Sequence, residues 1–276
     1  MPCVMAVLRS LLIWLAIVVM TVALFSFMVP ASIVAYPFDP KRNTAHYIAR
    51  TWARLILKTN PACRVRIEGE EHLREIGGNG AAVLCANHQS MADIVALYYL
   101  GYPFKWISKQ ELAWVPIIGW AMWLAGYVFI KRGDKESTRN MMETSHAWLG
   151  RGVSMMMFPE GTRTFDGRLK AFKDGAFRMS VDSGRPVVPI VLHGTRDLIE
   201  KGSWKFAATT SMTVRVGAPI PVRPSADRDA ETTRLRFETR AWILTNMAEI
   251  AGASEAALDA SGVPANAGNK TIEARV

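Results

Sequence analysis

Residues 10–35 carry no charged side chain. From Leu11 to Val29 only Thr21 and Ser26 are polar, and a helix over this 19-residue run would extend ~28 Å at ~1.5 Å per residue, about the thickness of a bilayer's hydrocarbon core. The apolar region of a cleavable secretory leader is shorter, ~7–15 residues, so the segment reads as a membrane helix. Pro30 leaves a second form open, a helical hairpin that dips into one leaflet and returns. One basic residue, Arg9, precedes the run, whereas Lys41, Arg42, Arg50, Arg54 and Lys58 follow it. That asymmetry places the rest of the chain on the cytoplasmic side of a membrane, a bacterial-type inner membrane being expected. Residues 42–59 then read as a basic amphipathic helix, lying either on the interface or on its own domain.

The folded body begins after this point. Residues 1–40 hold Arg9 and Asp39, which cancel, and residues 251–276 hold two basic and three acidic side chains. The net charge of +9 therefore belongs to the middle, which implies an anionic partner: phosphate, nucleic acid or an anionic lipid surface. Basic and aromatic residues do not interleave as single-strand binders require, so nucleic acid is not expected. Cys3, Cys63 and Cys85 show neither zinc spacing nor a disulfide framework, which suits a reducing compartment.

Between 61 and 250 short apolar runs alternate with longer periodic ones. Strands are expected at 63–68, 81–86, 105–108, 127–130, 153–158, 187–192 and 212–216, and helices at 91–101, 111–124, 135–149, 174–183 and 227–250. This alternation predicts an α/β domain, a mixed, mainly parallel sheet flanked by helices, with its site at strand-to-helix loops. The chain thus divides into membrane-anchoring helices (1–60), the α/β domain (61–250) and a tail (251–276) whose small, polar, aperiodic composition predicts no folded structure. The helix at 111–124 carries Trp114, Trp120 and Trp123. It is either a buried core helix or a face turned to acyl chains and the bilayer interface.

The stretch "CANHQSMADIV" (85–95) places His88 and Asp93 five residues apart. Within one continuous helix such positions point away from each other. They meet only if His88 lies in the turn before the helix and Asp93 in its first turn, which the expected boundary gives. Asp93 would then fix one ring nitrogen and leave the other as a base. The competing reading is a capping box, Ser90-x-x-Asp93, with no chemistry. Cys85 is a candidate nucleophile by its nearness to His88, set against the usual role of such a residue as a small buried hydrophobe.

Two further stretches follow strands. "FPEGTRTFDG" (158–167) offers a tight turn with exposed amides and the guanidinium fork of Arg163, suited to phosphate; Glu160 could pair with Arg163 or position a hydroxyl. "GYVFIKRGD" (126–134) delivers Lys131 and Arg132 to a strand end. Each is otherwise an ordinary solvated turn.

Taken in order, "NHQSMAD", "GYVFIKR", "FPEGTRT" and "VVPIVL" resemble the glycerolipid acyltransferases with an HxxxxD motif, in particular the 1-acylglycerol-3-phosphate (lysophosphatidate) acyltransferases. The resemblance covers residues 60–220. It departs at Lys131, where many members carry Asp, and this bears on acceptor identity. The resemblance implies transfer of an acyl chain from acyl-CoA or acyl carrier protein, as co-substrate, to the hydroxyl of a lysophospholipid at a membrane. It casts His88 as general base, Asp93 as its orienting carboxylate, and Arg132 and Arg163 as phosphate ligands. Glu160, Gly161 and Thr162 would shape the pocket, with Asn87, Ser90 and Pro189 in support. No cofactor or metal is implied, and the five histidines lack ligand spacing. Two alternatives stay open: a different acceptor, such as glycerol 3-phosphate or a lyso-aminolipid, and a non-catalytic, membrane-tethered anion-binding protein.

Overall fold

The computed structural model describes residues 2–60, 63–76, 80–164, 166–199, 203–224 and 227–261. Helix α1 (Pro2–Ala35) continues through Pro30. A turn at residues 36–42 leads into α2 (Asn43–Lys58), where the Asp39 carboxylate accepts the amides of Asn43 and Thr44 at 2.9 and 2.7 Å. Helix α2 doubles back along α1: Trp52 Nε1 donates to Thr21 Oγ1 at 2.8 Å, and the Trp52 and Phe25 rings lie 5.5 Å apart. The hairpin is therefore made of one apolar and one amphipathic helix. The α2 face carrying Ala45, His46, Ala49, Ala53, Ile56 and Leu57 is buried in the domain, which decides for packing on its own body.

The strands are β1 (Cys63–Glu68), β2 (Val83–Ala86), β3 (Phe104–Lys109), β4 (Val128–Ile130), β5 (Ser154–Met157), β6 (Val187–His193) and β7 (Thr210–Val216). Between them run α3 (Glu71–Glu75), α4 (Ala92–Leu97), α5 (Ile118–Leu124), α6 (Lys135–Gly150) and α7 (Gly175–Ser183), and α8 (Arg228–Ala251) and α9 (Glu255–Leu258) follow β7. The sheet order is β1-β7-β6-β2-β5-β3-β4. From β6 to β4 all neighbours are parallel; β7 is antiparallel to β6 and parallel to β1. This is the mixed, mainly parallel sheet expected. Its central strands are apolar on both faces because both are covered. Leu84, Met156, Val188 and Ile190 pack toward α1, α2 and α4, whereas Val83, Cys85, Met155 and Val191 pack toward α6, α7 and α8. The C-terminal ends of β2, β5, β3 and β4 share one edge, and the candidate residues sit there.

Three expectations need correction. The helix at 91–101 is shorter, ending at Leu97. The helix at 111–124 is broken into a 3-10 turn (Gln110–Trp114) and α5, because Pro116 lacks an N–H and forces Val115 into an extended conformation (ψ 118°). The stretch from 251 is folded at its front: Ser254 caps α9, and residue 259 bridges back to Leu169. Residues 262–276, the remainder of the expected tail, lie outside the described residues.

Candidate active site

The turn 87–91 leaves β2 and leads into α4, whose second residue is Asp93. Asn87 ends the strand with its side chain in place of main chain: its Nδ2 donates to Leu192 O (2.9 Å) and its Oδ1 accepts Leu192 N–H (2.7 Å). The next residue is thereby released from the sheet. His88 Nδ1 lies 2.8 Å from Asp93 Oδ2, and the same oxygen accepts the amides of Gln89 (2.7 Å) and Ser90 (2.8 Å). Ser90 Oγ accepts Ala92 N–H at 3.2 Å. One carboxylate oxygen thus meets the imidazole and also makes the Asp93 half of the capping box, whereas Ser90 Oγ takes the Ala92 amide and not that of Asp93. Asp93 is fully buried, and its Oδ1 makes no hydrogen bond. With Nδ1–H donating to the carboxylate, a neutral ring would present its lone pair at Nε2.

A second contact fixes the imidazole from its face. Phe158 stacks on His88 with centroids 3.9 Å apart and planes 11° apart, and Trp106 backs Phe158 at 5.6 Å. Sequence reasoning placed Phe158 in a motif without a task; the stack joins β2 to β5, which periodicity does not reveal.

Glu160 is turned inward. Its Oε1 accepts His88 N–H at 2.7 Å and its Oε2 accepts Lys170 N–H at 3.0 Å. Thr164 donates N–H (2.9 Å) and Oγ1 (3.0 Å) to His88 O. Both main-chain groups of His88 are therefore held by the 158–170 loop. Burial pushes the Glu160 carboxyl up to about 7, partly offset by the bonds from His88 and Lys170. Glu160 thus ties the main chain of His88 to that of Lys170. Gly161 has φ +73°, and a Cβ there would lie 3.0 Å from Lys173 Nζ, so the turn requires glycine. Lys170 Nζ donates to Thr162 Oγ1 (3.2 Å) and to Arg163 O (2.9 Å). Lys170 and Lys173 add positive charge beside Arg163, and no sequence motif singled them out.

Arg132 is exposed at the end of β4, the edge strand. It shares the sheet edge with His88 but is three strands from β2, ~14 Å at ~4.8 Å per strand. The structure therefore groups His88, Asp93, Glu160, Gly161 and Thr162, with Arg163 on the same loop, and leaves Arg132 at the rim. Pro189 lies inside β6 opposite Cys85. Cys85 is fully buried on the far face of the sheet, where burial pushes its thiol well up; it is a core residue.

A carboxylate-bonded imidazole beside a basic turn at the edge of a parallel sheet has the chemistry that removing a proton from an alcohol requires. The family described as Acyltransferase matches residues 64–193, a span that holds the whole group. A 1-acyl-sn-glycerol-3-phosphate acyltransferase of Chlamydomonas reinhardtii is 34% identical over 231 residues, 83% of this chain and 68% of that protein. The chloroplastic 1-acyl-sn-glycerol-3-phosphate acyltransferase LPAT1 of Arabidopsis thaliana is 39% identical over 200 residues, 71% of this chain and 55% of that protein. The crystal structure of the 1-acyl-sn-glycerophosphate (LPA) acyltransferase from Thermotoga maritima has the same fold, with a TM-score of 0.77 at 24% identity over 92% of this chain and 99% of that one. The chain belongs to the 1-acyl-sn-glycerol-3-phosphate acyltransferase family. It spans between about half and two thirds of the length of these two algal and plant relatives.

Proposed function

We propose that the protein is a membrane-associated O-acyltransferase that moves a fatty acyl chain from acyl-CoA or acyl carrier protein to the sn-2 hydroxyl of 1-acylglycerol 3-phosphate, giving phosphatidic acid. The observation that carries this reading is the 2.8 Å bond from His88 Nδ1 to Asp93. His88 Nε2 takes the proton of the acceptor hydroxyl as its oxygen attacks the thioester carbonyl. The thiolate leaves, and the imidazolium returns the proton to it. Asp93 supplies the counter-charge while the imidazolium lasts. The thioester is already activated, so no covalent enzyme intermediate, resident metal or bound cofactor is needed. Arg163 holds the acceptor's phosphate, with Gly161 and Thr162 shaping the turn, and Arg132 reaches a headgroup from the rim.

Membrane association is supported by α1, the one described helix long and apolar enough to cross a bilayer. Leu11, Leu12, Leu15, Val18, Val19 and Phe27 lie exposed on it. Trp114, Trp120 and Trp123 are 81, 64 and 65% exposed, which removes the core-helix alternative for that segment and suits an interfacial aromatic belt. The basic residues that follow α1 support a body on the cytoplasmic side.

Thiol release tests the reaction. Purified protein is given acyl-CoA or acyl carrier protein with lysophosphatidate, glycerol 3-phosphate or a lyso-aminolipid. Release that requires lysophosphatidate, with phosphatidic acid as product, is expected. Release with another acceptor alone would move the acceptor assignment, as Lys131 invites. No release with any pair, alongside intact vesicle binding, would favour the non-catalytic anion-binding alternative.

A further inference from the structure

The C-terminal segment closes over the loop that braces His88. Leu169 N–H donates to Leu258 O at 2.7 Å, and Ala260 N–H donates to Leu169 O at 3.0 Å, so residues 258–260 lie beside Leu169 as a one-residue parallel ladder. Arg240 of α8 seals it. Its Nε donates to Lys170 O (3.2 Å), and its Nη2 donates to Leu169 O (3.1 Å) and to Asp259 Oδ1 (2.5 Å). Asp259 Oδ1 also accepts Ser261 N–H and Oγ–H, each at 2.7 Å, and Asp259 O accepts from Arg168. Arg240 and Asp259 keep only 11 and 12% of their side-chain surface.

We infer that Arg240 and Asp259 are positioning residues for the active-site turn, and that the 254–261 segment is part of the catalytic unit. The link is short. Arg240 fixes the carbonyl of Lys170, the amide of Lys170 fixes Glu160 Oε2, and Glu160 Oε1 fixes the amide of His88. A second route runs from Gly167 O to Gln89 Nε2 at 3.3 Å. The anchor is a packed helix: α8 lies on β6 and α7 and buries Leu235, Ile243, Leu244 and Met247. A guanidinium this buried would be costly unpaired; here its donors go to loop carbonyls and to the carboxylate that balances it. Without the clasp, the main chain of the 166–170 loop would keep its bonds to Glu160 and Gln89, with the Lys170 side chain on the 162–163 turn and Leu169 in the core, but would lose its tie to α8 and the 258–260 segment, and the brace on the His88 main chain would loosen.

The inference rests on the reading of His88 as the base, so its test has one arm that needs no activity. Full-length Asp259→Asn removes the counter-charge, and Ala260→Pro removes the N–H that Leu169 O accepts. Hydrogen exchange is followed at the amides of His88, Thr164, Leu169 and Lys170, with β1 and β7 amides as reference; turnover is followed by thiol release. Expected for both variants is at least tenfold faster exchange at those four amides with the reference unchanged. A fall in kcat of fivefold or more with acceptor KM within twofold should accompany it, and Asp259→Glu should restore both. Faster exchange with undiminished kcat, or unchanged exchange, overturns the inference. If Ala260→Pro does not fold, Asp259→Asn decides by itself. If the wild type releases no thiol with any acceptor, the proposed reaction fails on its own account, and exchange at His88 still decides whether the clasp holds the turn.

Discussion

A single carboxylate oxygen, Asp93 Oδ2, lies 2.8 Å from His88 Nδ1 and at the same time accepts the amides of Gln89 and Ser90 at 2.7 and 2.8 Å. Orienting the imidazole and closing the helix entry are therefore one structural act. His88→Ala is expected to lower kcat by ~10²–10⁴ and to lower stability by about 1–3 kcal/mol, since the ring is only 15% exposed, stacks on Phe158 and bonds the buried Asp93 carboxylate. Asp93→Asn keeps the shape but removes the charge. It should lower turnover strongly and also lower unfolding stability by about 1–3 kcal/mol, because three N–H groups lose a charged acceptor. Thiol release per folded molecule and urea melts measure the two. A stability loss with full turnover would leave only the capping role.

Phe158 covers the face of the His88 ring at 3.9 Å. When the ring is protonated in transit, the aromatic face interacts with a cation, worth ~0.5–2 kcal/mol. Phe158→Leu should then lower kcat by roughly 3–30-fold with acceptor KM little changed, while Phe158→Tyr keeps most of the activity. Equal losses in both variants would point to packing alone.

Lys105 is fully buried in β3, donates to Arg42 O at 3.0 Å and lies over the Trp148 ring. Burial lowers its amine to about 7, against the charge of Asp39 and with that of Arg42. In the unfolded chain a lysine titrates near ~10.4. Between these values the unfolded state holds the extra proton, so the contribution of Lys105 to stability improves as pH rises from 7 toward 10. Below 7 both states are protonated and the full penalty is present. Lys105→Met should therefore be more stable than the wild type at pH 6, by the order of a few kcal/mol, with the gap shrinking by pH 9.5. Melts at the two pH values check this; a gap independent of pH would mean that the amine does not titrate there.

The exposed tryptophans give a fourth prediction. Trp123 is engaged by Arg42, whose guanidinium lies 5.8 Å from its ring centroid, so the sparing change is Trp114→Ser with Trp120→Ser. Each exposed ring that enters the interface contributes ~1.5–3 kcal/mol. The double variant should bind anionic vesicles at least tenfold more weakly while keeping its turnover on detergent-dispersed substrate. Unchanged binding would assign the docking to α1 alone.

Much of this was legible before any coordinates. Local signals carried the strands, since short β-rich apolar runs end at turn residues, and the His88–Asp93 meeting followed from where a strand stops and a helix starts. Pro116 was visible, yet its power to split 111–124 depended on how residues 115–117 settle against α5. The exposure of Trp114, Trp120 and Trp123 was not legible, because periodicity groups side chains on a face without saying what the face meets. The inward turn of Glu160 and the order in 254–261 were hidden for one reason: their partners, His88 and Lys170 in one case and Leu169 and Arg240 in the other, are distant in sequence or unmarked by any motif. Arg132 stood in a matching block, but only the strand order showed it at the rim.

Asn87 binds Leu192 as one peptide group binds another. The turn bearing the base is consequently indexed to a neighbouring strand as well as to its own. Sliding that neighbour by a single residue would present the wrong side to the amide and turn its side chains to the opposite layer. Molecules that pair these strands out of step would hold no aligned base, so an assembly error would surface as silence and not as misdirected acylation.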